Sequence, residues 1–96
     1  MSEIKLYKLA SGEEIIAKAV STKSGVIEIE DSVSLVYHQV DNGRMSVGFA
    51  PFMPYAGDKV TLRESAVAAE SVPNDQILQE YNRVFSNIVI APANSI

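Results

Sequence analysis

His38 is the only histidine of this 96-residue chain and cysteine is absent, so the side chains that most often build nucleophilic or metal centres are nearly missing. A two-histidine metal site cannot be assembled within one chain, and His38 reads as an ordinary half-buried strand residue rather than as the base of a Ser/His/Asp set. Glu28, Glu30 and Asp31 form an acidic cluster. Strand spacing puts Glu28 and Glu30 on one solvent face, and no calcium-loop pattern surrounds them. Glu13-Glu14 follows a turn and reads as a solvated strand start. Phosphate-loop, GxGxxG and GxSxG patterns are absent. The expectation is a protein that is not an enzyme and holds neither metal nor cofactor.

A second set of residues suits binding. Lys23, Arg44, Lys59 and Arg63, together with Phe52 and Tyr55, could supply phosphate contacts and base stacking, the general means by which proteins hold single-stranded RNA. The competing reading is an ordinary surface over a buried aromatic loop, because nothing in the spacing concentrates the charge. Twelve acidic residues against eight basic ones give a net charge of −4 and a pI near 4.8. The whole molecule therefore does not attract phosphate, although a ring of copies would gather a few lysines locally.

These residues must be positioned by a β-rich chain. Ser11-Gly12, Lys23-Ser24-Gly25, Asp41-Asn42-Gly43 and Ala56-Gly57-Asp58 are turn signals that separate five apolar segments, and the short connections favour antiparallel neighbours. The expected strands are Ile4 to Leu9, Glu13 to Val20, Val26 to Val40, Arg44 to about Phe49, and Lys59 to about Ala69. In the third, Ile27 and Ile29 alternate with glutamates, and Val33, Leu35 and Tyr37 resume the alternation on what reads as the same face. Its length predicts a bend or bulge near Asp31-Ser32. Pro51 and Pro54 are expected to end regular pairing and to shape the loop to Gly57. After Pro73, with Asn74 or Asp75 as cap, Ile77, Leu78, Tyr81, Val84, Phe85 and Ile88 recur at helical spacing. The helix is placed at about 74–87, with Asn87 as its left-handed cap. The apolar tail, 88–96, is β-prone and expected to pair with an edge strand or a neighbouring subunit.

With 47% hydrophobic and 21% charged residues, the chain has the means to bury one modest core, which predicts a single domain over 1–96. No apolar run reaches the length of a membrane span, and the N-terminal residues lack a signal-peptide layout, so a cytoplasmic location without membrane contact is expected. Small barrels seldom cover every strand edge, and an unblocked edge pairs with another chain. Head-to-tail pairing closes into rings when the rotation permits. Met45, Val47, Val60 and Leu62, on the fourth and fifth strands, are the candidate interface residues.

Leu9-Ala10-Ser11-Gly12-Glu13-Glu14-Ile15-Ile16-Ala17 resembles the first half of the Sm1 motif of the Sm-like (LSm) superfamily, and Val26-Ile27-Glu28-Ile29-Glu30-Asp31 resembles its third strand. The likeness covers about residues 3–70 and is nearest to divergent Sm-like proteins of phage type, including those of cyanophage. It implies a small, strongly bent, five-stranded antiparallel Sm-like (SH3-like) barrel, here with a C-terminal α-helix, and a homo-oligomeric ring of about five to seven subunits. Within the host cytoplasm, if phage-encoded, such a ring would serve as an RNA-processing or chaperone module. Lys23, Ser24, Tyr55 and Lys59 would line its pore and touch single-stranded RNA. Three features depart from the family. The base-cradling asparagine is missing after the loop Ser21–Gly25, Met53 to Asp58 stands where an Arg-Gly pair is expected, and the helix follows the barrel instead of preceding it. The alternative expectation is a homo-oligomeric scaffold or assembly protein of phage origin with no nucleic-acid ligand.

Overall fold

Turn chemistry sets the strand order. The computed structural model describes residues 3–94, with side chains as far as Phe85. Strands β1 (Glu3–Leu9), β2 (Glu14–Lys23) and β3 (Val26–Gln39) follow one another antiparallel. Ser24 and Gly25 both have positive φ, 49° and 81°, and they join Lys23 to its partner Val26 as a two-residue hairpin whose twist suits the flanking strands. The expected five-residue loop Ser21–Gly25 is thus two residues long, with Ser21 to Lys23 inside the ladder. Asp41–Gly43 forms a 3₁₀ turn, with Asn42 in the left-handed region at φ 73°. It leads into β4 (Met45–Pro51), which pairs with the second half of β3.

The fourth and fifth strands depart from expectation. β4 starts at Met45 and retains Pro51, whose partner is Val33; a proline is tolerated at the end of an edge strand because it leaves no central ladder bond unmade. The segment read as one fifth strand is two, β5 (Lys59–Arg63) and β6 (Val67–Ser71), separated by a 3₁₀ turn at Glu64–Ala66. β5 pairs with the first half of β3, and β6 pairs with β1. The result is a six-stranded antiparallel sheet ordered β4-β3-β2-β1-β6, with β5 beside β3. The 3₁₀ turn brings the chain round from β5 to β6, yet no ladder joins these two strands among the described residues. The sheet does not close, and it has six strands where a strongly bent five-stranded barrel is expected; the arrangement is consistent with a small barrel-like fold.

A bulge in β3 decides which face each residue serves. Between the pairs Ile16–Val33 and Lys18–Glu30, β3 contributes one residue more than β2, and Asp31 takes φ 52°. The extra residue inverts the alternation. Ile27 and Ile29 pack with Tyr7, Leu9, Ile15, Ala17 and Leu62 in the hydrophobic core, whereas Val33, Leu35 and Tyr37 fall on the opposite face. The expected bend is therefore present, but the expected continuity of one apolar face across it is not.

That second face is covered by α1 (Asp75–Asn94). Asn74 caps the helix, its Oδ1 accepting the Ile77 N–H at 2.9 Å, behind a buried Pro73. Tyr81 is fully buried, with Phe49 of β4 edge-on at 6.4 Å and Phe85 at 4.6 Å between ring centroids. The helix continues through Asn87 to Asn94, so 88–94 are helical and not the strand that their β-propensity suggests; residues 95 and 96 lie outside the described residues. Propagating a helix past its nucleus fixes one more bond per residue, which offsets the small penalty of Ile and Val, although not the larger one of Pro92.

Candidate nucleic-acid and assembly surfaces

The four residues expected to touch RNA occupy two separate places. Lys23 ends β2 and Ser24 opens the hairpin turn, both exposed. The Glu64 N–H donates to the Gly25 carbonyl at 2.9 Å, so this turn sits over the 3₁₀ turn between β5 and β6. Lys59 lies at the other end of β5, opposite Glu30, while Val26 at the hairpin faces Arg63. Four residues of strand separate the two ends, about 13 Å at ordinary strand rise. Tyr55 belongs with Lys59, at the tip of the loop from β4, where it is 99% exposed. One protomer thus divides the set into Lys23 with Ser24 and Tyr55 with Lys59.

Carboxylates surround the second pair. Lys59 Nζ lies 3.9 Å from Glu28 Oε1. Beside the loop is a cleft of about 390 Å³ lined by Glu30, Asp31, Asp58 and Met53. Lys18 neutralises only part of this charge, with Nζ 3.1 Å from Asp31 Oδ2. Tyr55 therefore offers an aromatic face at the tip of a loop whose flank, at Met53, Gly57 and Asp58, borders a cleft of carboxylates that repels phosphate. No three His, Asp or Glu side chains converge as cation ligands among the described residues. His38 lies exposed on β3 over Gly48, where an added Cβ would stand 3.5 Å from Nε2.

The interface candidates also divide. Leu62 is 6% exposed inside the core, whereas Val60 packs against that core and also lines the acidic cleft, so Leu62 presents no outer surface and Val60 only part of one. Alternation explains this, since β5 has only one apolar face and the barrel claims it. Met45 is 63% exposed and Val47 half-buried, both on β4. β4 pairs only with β3 among the described residues, which leaves its other edge without a ladder.

Two features escape a reading by residue type alone. Between the end of the β3–β4 hairpin and the first turns of α1 lies a groove of about 840 Å³, with Tyr37, Val40, Met45, Val47 and Ile77 in its walls. Alternation marked Tyr37 as apolar-facing, but only the bulge reveals that it faces the helix. The second feature is a pair of polar contacts at the start of β2, one on each face of the sheet. The Ser34 hydroxyl donates to Glu13 Oε2 at 2.6 Å, and Tyr37 donates to Glu14, which also lies 3.5 Å from Lys8. The Glu14 carboxylate raises the Tyr37 phenol by accepting its hydrogen bond. These glutamates are tied to neighbouring strands, in contrast to the freely solvated pair expected. Among the described residues, no helix is long and apolar enough to cross a membrane. No protein-family model matches the chain, and no curated protein matches it.

Proposed function

We propose that this chain is a non-enzymatic Sm-like protein that assembles with itself through strand edges into a ring, of about five to seven copies by the resemblance. The observation that carries this reading is the unpaired edge of β4. Its seven residues, Met45–Pro51, belong to a curled antiparallel sheet that does not close on itself. None of the seven is charged, although a charge is the usual block to edge pairing.

Two readings of what the ring does follow from different observations. Tyr55, fully exposed at a loop tip, is the kind of side chain on which an unpaired base stacks, and ring closure would bring several copies of Tyr55, Lys59, Lys23 and Ser24 around one axis. This supports single-stranded RNA as ligand. The acidic cleft beside that tyrosine and the net charge of −4 support the other reading, a scaffold whose partners are proteins.

One experiment separates them. Light scattering should give a mass several times that of the protomer, and a monomeric mass would refute the ring. In the same buffer, fluorescence anisotropy of short uridine-rich and adenine-rich single strands at two salt concentrations reports phosphate contacts. Binding that weakens with salt and with Tyr55→Ala favours RNA. A ring that leaves both strands free at low salt is a scaffold.

A further inference from the structure

We infer that the Tyr81 hydroxyl selects the register of β3, by holding the carbonyl of the bulge that turns the second half of the strand over. The sequence of β3 carries two solutions. Apolar residues at 27, 29, 33, 35 and 37 all occupy odd positions, so an unbulged strand would set all five on one face. The structure adopts the other solution, with an extra residue near Asp31 and the two halves facing opposite ways. A slip of one residue flips every side chain beyond it, so something must favour the bulge.

Asp31 tolerates φ of 52° better than most residues with a Cβ, but tolerance alone does not select the bulge. Its ion pair with Lys18 is half exposed and weak. The buried contact at the bulge is the hydrogen bond from the Tyr81 hydroxyl to the Asp31 carbonyl, 2.7 Å long. Tyr81 is fully buried and is held between Phe49 and Phe85, so its hydroxyl has little access to water as a substitute partner. The bond also joins residues 50 positions apart, the helix and the bend. Tyr81 is thus a positioning residue. It couples docking of α1 to the phase of β3, and through β3 it orients β4, which hangs from the inverted half. The inference stands whether or not the protein forms rings or binds RNA.

Hydrogen exchange on the full chain tests it. Tyr81→Phe keeps the ring and removes only the O–H. Amides of β3 beyond Asp31 and of β4 should exchange about ten to a hundred times faster, the range for an orphaned carbonyl, while the β1–β2 ladder and Val26 to Glu30 keep their protection. Adding Asp31→Gly should return much of the lost protection, because glycine adopts positive φ freely. Unchanged exchange in β3 and β4, or one equal acceleration in every strand, would overturn the inference. Should Tyr81→Phe unfold outright, recovery of the fold by the double variant supports the assignment and failure to recover refutes it.

Discussion

At the residue scale, the phenols of Tyr7 and Tyr81 join packing to pH. Burial raises both above their ordinary value of 10.0, with Glu70 and Glu3 adding to the effect at Tyr7 and Asp31 at Tyr81. Above that pH the unfolded chain loses these protons while the folded chain keeps them. The unfolded state then binds fewer protons, so stability falls as pH rises, and the contribution is complete only below about pH 10. The fully buried Tyr81 should add up to about 1.4 kcal/mol per pH unit to the alkaline slope, and Tyr7 adds in the same direction. Denaturant melts taken in steps above neutrality should show that decline in the native protein. Tyr81→Phe should start lower at neutral pH and decline less steeply; a slope equal to the native one would mean that the Tyr81 hydroxyl is already solvated in the folded state.

At the element scale, the helix is the most legible part of the chain and the third strand the least. Pro73, Asn74 and the spacing of Ile77, Tyr81 and Phe85 are local signals, and each has its expected place in α1. The far end of α1 is less legible, because Ile88 to Ile90 suit either a helix or a strand and a helix already under way continues through them. The faces of β3 could not be read, because alternation is blind to a bulge whose stabilising partner lies 50 residues away. Leu62 reads as available for an interface because alternation gives β5 one apolar face without saying what covers it; the core holds Leu62, and Val60 packs against that core. The candidate RNA residues were identified by type, but their separation into two places depends on the register of β5 against β3. Phe85→Ala tests the weight of the helix. Stacked on Tyr81 and half-buried, Phe85 should contribute about 3 kcal/mol, the low end for a buried phenylalanine. A loss under about 1 kcal/mol in urea titrations would mean that the helix covers the sheet without bracing it.

At the scale of the whole molecule, the proposed assembly rests on backbone more than on side chains, which calls for a probe that removes one N–H at a time. A proline at Leu62 would be uninformative, because Leu62 pairs with Ile27 and fills the core within its own protomer. β4 offers a cleaner site. Successive N–H groups along a strand point to opposite edges, so of Ser46 and Val47 one N–H faces β3 and the other faces outward. Ser46→Pro and Val47→Pro therefore form a matched pair, each removing one donor from a different side of the same strand. The variant that loses the inward N–H should be destabilised, since it breaks the ladder with β3. The variant that loses the outward N–H should fold normally and shift to a smaller mass by light scattering, because its only missing bond is the one to a neighbouring copy. If the folded member of the pair retains the native mass over a range of dilutions, the β4 edge is not the joint and the ring proposal fails with it.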